Sequence, residues 1–106
     1  MREIKKPIEP KEDFVPVFAL NSSIDELADK FHLSPQHGAD ELDEYDVVLL
    51  ETDTGRPFLL LEYKRSPAAS VYIPARMLDR LSRIMAEIAK ELRVAESEIT
   101  VLHQSD

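Results

Sequence analysis

Between Tyr45 and Pro74 two apolar, branched segments, YDVVLLE and FLLLEYK, flank a polar turn cluster at residues 52–57, and this constrains the fold more than any other feature. Two strand-like runs joined by so short a link predict a β-hairpin, and Gly55 is the residue in the link able to take a positive φ. Residues 58–61 are apolar at every position, as suits a strand covered on both faces. Turn length then decides which side chains share a face. If Asp53, Thr54 and Gly55 form a three-residue turn with Gly55 left-handed, Asp46 falls opposite Glu62, and Lys64 lies on the same face. A two- or four-residue turn puts Asp46 on the other side.

The remaining segments supply partners for this hairpin. Residues 14–20, FVPVFAL, read as a strand, apolar on both parities, whose Pro16 removes a ladder donor and points to a sheet edge. Ser23 stands three residues before Glu26, the spacing of a capping box, and Ile24, Leu27, Ala28 and Phe31 follow at helical intervals. A helix over residues 24–32 is predicted, closed by the Leu33–Ser34–Pro35 sequence. Residues 36–44 are polar and acidic and read as a solvated loop. Residues 70–73 make a short strand stopped by Pro74. The apolar stripe of Met77, Leu78, Leu81, Ile84, Met85, Ile88, Ala89 and Leu92 then predicts the main helix over residues 75–93. Residues 99–102 form a last strand.

The expected fold is therefore α+β: a two-layer sandwich in the order β-α-β-β-(β)-α-β. A mainly antiparallel sheet of four to five strands carries two helices on one face. Residues 1–13, with two prolines among mixed charges, are expected to be a flexible N-terminal tail, residues 14–103 a single domain and residues 104–106 a C-terminal end.

The chain has 106 residues, no cysteine and a formal net charge of -8. Disulfides and thiolate metal sites are excluded, no apolar run approaches the ~18 residues of a membrane helix, and a cytoplasmic location is expected. The charge is uneven. Residues 25–53 carry ten acids against Lys30 alone, whereas residues 54–93 carry eight bases against four acids. An acidic chain disfavours nucleic acid, which is bound through phosphate neutralisation.

Three constellations could carry chemistry. Asp46 with Glu62, Tyr63 and Lys64 resembles the acid followed by E-x-K of the PD-(D/E)xK nucleases. That resemblance implies divalent-metal hydrolysis, with the acids holding metal and the lysine positioning water. No proline precedes Asp46, and the E-x-K falls on the second strand after the first helix rather than the third. Asp40, Glu41, Asp43, Glu44 and Asp46, with Glu51 and Asp53, form a candidate acidic surface for a basic protein. Lys64, Arg65, Arg76, Arg80 and Arg83 form a weaker anion-binding candidate, because the arginines near the start of the main helix oppose its dipole. His32, His37 and His103 lack paired-ligand spacing, and no phosphate-loop, dinucleotide or nucleophile-elbow motif occurs, so no metal or cofactor is expected. Two helix-turn-helix imitations, residues 23–37 and 87–99, lack the basic recognition helix that DNA requires.

The reading these observations favour is a non-enzymatic protein-binding domain, of the inhibitor or immunity type, that masks a basic partner with its acidic surface. The alternative is a PD-(D/E)xK-like metal-dependent nuclease using Asp46, Glu62 and Lys64. A homo-oligomer is a further expectation, since the stripe including Met77, Ile84 and Met85 is wider than a small sheet must cover and the far face of the sheet is expected to be apolar too.

Overall fold

The computed structural model describes residues 1–4, 13–41, 43–66 and 68–102. In chain order the elements are β1 (Arg2–Glu3), β2 (Phe14–Leu20), α1 (Ile24–Phe31), β3 (Gln36–Ala39), β4 (Glu44–Glu51), β5 (Pro57–Tyr63) and β6 (Ser70–Pro74). A 3-10 segment (Ala75–Arg80), α2 (Leu81–Leu92), a 3-10 turn (Glu96–Glu98) and β7 (Ile99–Val101) complete it. All pairings are antiparallel, in the order β1-β4-β5-β6-β2-β7, with β3 also on β4. The expected α+β sandwich forms, with a sheet of seven strands rather than four or five.

The central hairpin explains its own register. Thr52 N donates to Arg56 O at 2.9 Å and Gly55 N to Thr52 O at 2.9 Å, so Asp53, Thr54 and Gly55 make the three-residue turn. Gly55 has φ +88°. Thr52 is buried, and its Oγ1 accepts Arg56 N at 3.0 Å, which closes the turn from inside. With Glu51 opposite Pro57, the ladder runs to Asp46 opposite Glu62, the parity that this turn length dictates.

Alternate residues then separate two apolar faces. Val48, Leu50, Phe58, Leu60, Val71 and Ile73 join Ile24 and Leu27 of α1 and Leu81, Ile84, Ile88 and Leu92 of α2 in the main core. Val47, Leu49 and Leu59 form a second cluster on the far face, with Ile4, Phe14, Tyr45, Leu61 and Tyr72 against it. In β2 the register shifts between Pro16 and Phe18. This bulge turns both Val17 and Phe18 into the main core, which accounts for a strand apolar on both parities. Pro16 is exposed and β7 pairs only with Phe18–Leu20, so the missing amide falls where β2 is an edge; beyond it β2 is interior.

Helix ends follow the local signals. Glu26 N donates to Ser23 Oγ at 3.1 Å, and His32 closes α1 in the left-handed conformation. The main helix covers the expected span, but its first six residues are 3-10. Met77 and Met85 pack against the core and Ile84 is buried.

Two expectations are corrected. Gln36–Ala39 is a strand on β4, not part of a loop, and Arg2–Glu3 pairs with Glu51 and Leu50 rather than belonging to a tail. Both are edge strands, held by backbone bonds on one side, so neither needs the apolar alternation that marks a covered strand. The Met1 amino group also pairs with Asp53 and lies 3.0 Å from Glu91. The rest of the expected tail, residues 5–12, and the C-terminal end lie outside the described residues.

Nothing lies within 4 Å of a Cβ placed on Gly55, so substitution there tests the backbone alone. Gly55→Ala is expected to destabilise the fold by about 1–2 kcal/mol, and Gly55→Asn by less, because asparagine tolerates positive φ. Urea midpoints check this; an unchanged midpoint for the alanine variant would show that the turn does not hold the register.

Candidate functional site

The ladder sets His37, Asp46 and Glu62 side by side across β3, β4 and β5. One step further along the strands Glu44 faces Lys64, whose amide donates to Glu44 O at 3.1 Å. These positions share the parity of Val48, Leu50 and Leu60, so the cluster lies on the helix-bearing face where the sheet reaches solvent. Asp46, Glu62 and Lys64 therefore occupy one face, as the three-residue turn requires.

Two carboxylates directly opposite on neighbouring strands repel, with Cα atoms about 5.5 Å apart in a hydrogen-bonded pair. Each is relieved by a different element. Glu62 Oε1 accepts Ile24 N at 3.0 Å, one of the free amides that open α1, where the helix dipole also favours negative charge. Asp46 Oδ1 lies 3.2 Å from His37 Nδ1. The other ring nitrogen, Nε2, is 3.3 Å from Glu44 Oε1, and Lys64 Nζ donates to Glu44 Oε2 at 2.9 Å. Asp46, His37, Glu44 and Lys64 thus form one bonded chain, alternating in charge when the His37 ring is protonated.

The bond to Asp46, then that to Glu44, raises the His37 pKa above its ordinary value. Lys64, then His37, lowers that of Glu44, and Glu44 raises that of Lys64. All these groups are open to water, so each pair adds little to stability.

The loop beyond β3 is built by its own acids. Asp40 N donates to Asp43 O at 3.1 Å, and Asp40 Oδ1 accepts Asp43 N at 3.1 Å, a local turn made by an aspartate side chain. Asp40 Oδ2 accepts the Tyr63 hydroxyl at 2.7 Å and pushes its pKa up to about 12. Asp43 Oδ2 accepts Arg65 N at 2.8 Å. On the far face Tyr45 meets Tyr63 edge-on, with centroids 5.8 Å apart. The Tyr45 ring also covers Gly38, where an added Cβ would come within 2.7 Å of it.

The seven acids expected to form one partner surface are divided between the two ends of β4. Asp40, Glu41, Asp43, Glu44 and Asp46 gather at its start. Glu51, paired with Arg2 at 2.9 Å, and Asp53, paired with the Met1 amine, sit at the other end. Seven residue steps of extended chain, about 23 Å, separate Glu44 from Glu51. The expected cation group is likewise divided. Lys64 and Arg65 follow the end of β5, whereas Arg76 follows β6, which returns antiparallel to the start of β5. Arg80 and Arg83 line a shallow depression with Asp79 and Ser82 at the start of α2.

Among the described residues no group of three or more His, Asp or Glu side chains is placed to hold a metal ion. Among them, too, no helix is long and apolar enough to cross a membrane. Neither helix-turn-helix imitation has a second helix, since β3 follows α1, and a 3-10 turn and β7 follow α2. His37 is the site residue that sequence reasoning passed over. Its signal was the Asp40 turn: a hairpin closed there, with residues 36–39 as a strand, sets His37 opposite Asp46.

Glu62 carries both a charge and a helix-capping bond, so its variants separate the two. Glu62→Ala should cost about 1 kcal/mol and speed amide exchange at Ile24, while Glu62→Gln retains the acceptor and most of the stability. Equal exchange at Ile24 in both variants would remove the capping role. No protein-family model matches the chain, and no curated protein or solved structure does.

Proposed function

We propose that this chain is a non-enzymatic protein-binding domain that offers an acidic surface to a basic protein partner, as an inhibitor or immunity-type protein would. One observation carries the reading. Glu44, Asp46 and Glu62 stand on one face, and the Ile24–Glu62 bond brings the first turn of α1, with exposed Asp25 and Glu26, up against them. Glu41 adds a further exposed acid on the adjoining loop. Among the described residues the groups bonded to this cluster that can carry positive charge are Lys64 and, when protonated, His37, fewer than its acids, so a negative potential remains to steer and hold a partner.

Asp40 and Asp43 build the loop and are poor choices for a test. Asp25, Glu41 and Asp46 can be neutralised with little loss of structure. The Asp25→Asn/Glu41→Gln/Asp46→Asn variant should bind a synthetic Lys/Arg-Ser peptide about tenfold more weakly than the parent at low salt, from three exposed charges. Raising the ionic strength should erase the difference. Equal calorimetric affinities at low salt would sink the reading.

The alternative of a metal-dependent nuclease draws on the shared face of Asp46, Glu62 and Lys64. Against it, Glu62 is bonded to the start of α1 and Lys64 to Glu44, which leaves neither poised for a metal and its water. Titration of Mg²⁺ or Mn²⁺ with a DNA substrate is expected to give no cleavage. Metal-dependent cleavage lost in Lys64→Ala would establish the alternative.

A further inference from the structure

His37 is held with both ring nitrogens on carboxylates, Nδ1 at 3.2 Å from Asp46 and Nε2 at 3.3 Å from Glu44. A neutral imidazole has one N–H and can donate to only one of them, whereas the imidazolium donates to both. The geometry therefore suits the charged ring. The groups facing it are Asp46 and Glu44 on β4 and, one strand further, Glu62 and Lys64 on β5. Glu62 is committed to Ile24 N, and Lys64 keeps Glu44 occupied whatever the state of the ring. Loss of the ring proton leaves a single N–H, so one of the two carboxylate bonds is given up and the positive charge beside Asp46 and Glu44 is lost in either tautomer.

We propose that His37 regulates the acidic surface by protonation: as imidazolium it donates to both Asp46 and Glu44 and offsets one of their charges, and on losing its proton to solvent it gives up one of those bonds and leaves the surface one charge more negative for a Lys- or Arg-bearing partner. The inference rests on the acidic-surface reading above and adds its regulation. Its sign follows from the carboxylates, which raise the His37 pKa. The internal pairing is fully present below the ordinary histidine value of 6.5 and is lost as pH rises through the elevated folded value. Partner binding strengthens over that window, above the range where Asp and Glu titrate.

The test uses the full chain and a synthetic Lys/Arg-Ser peptide, which has no titrating group of its own between about pH 5.5 and 8.5 if its termini are blocked. Affinity at low salt should rise about two- to fivefold across that range, the effect of one exposed charge pair. His37→Gln should abolish the rise, and His32→Gln should leave it intact. Proton NMR of the ring should give a His37 pKa above the ordinary histidine value of 6.5, falling in Asp46→Asn. Peptide binding without a pH step, or a step that persists in His37→Gln, would overturn the regulation and leave the acidic-surface reading standing. No binding at any pH would overturn both.

Discussion

The left-handed turn at Gly55 is the constraint on which the rest of this structure depends. A three-residue link sets Glu51 opposite Pro57, and every later pair in the hairpin follows from that step. The same parity sends Val48, Leu50, Phe58 and Leu60 toward the helices and Val47, Leu49 and Leu59 toward the far face. A slip of one residue would exchange the two sets and strip both layers of their contacts. Because the turn is closed from within by the buried Thr52, the register is held at the tip of the hairpin as well as by burial along it.

That parity has a consequence at the other end of the strands. It places Asp46 against Glu62, a like-charge pair that a sheet alone would not favour. The fold answers with two unrelated elements: the opening amide of α1 meets Glu62, and a histidine on an added edge strand meets Asp46. Each leaves a carboxylate at the solvent-exposed end of the sheet face. The result is a surface whose structure and net charge come from the same residues.

Much of the architecture was legible because it is written in local chemistry. Ser23 and Glu26 mark the start of α1, and the stripe from Met77 to Leu92 marks the main helix. Gly55 marks the turn whose length decided the faces. The edge strands were not legible. Gln36–Ala39 contains a polar pair and a glycine, and its side chains are largely exposed, so no periodicity announces it. What makes it a strand is the free edge of β4 and the fit of the Tyr45 ring over Gly38, both supplied from elsewhere in the chain. The bulge at Val17 was visible only as a strand apolar on both sides. The 3-10 start of the main helix left the apolar spacing readable and altered only the backbone.

For the candidate site the division is similar. The acids and Lys64 could be named from their order in the chain, and their common face followed from one turn. The separation of Glu51 and Asp53 from the other acids, and of Lys64 and Arg65 from Arg76, depends on strands running antiparallel, so neighbours in sequence end at opposite sides of the sheet. By itself, then, the sequence determined the α+β class, both helices and the central hairpin, because each rests on contacts within a short stretch, and it made the facing of Asp46 and Glu62 depend on a turn length that the structure supplied. Tertiary structure alone decided that His37 joins them, that Glu62 caps α1 and that the acids divide between two ends, because those contacts join segments that carry no local mark of one another.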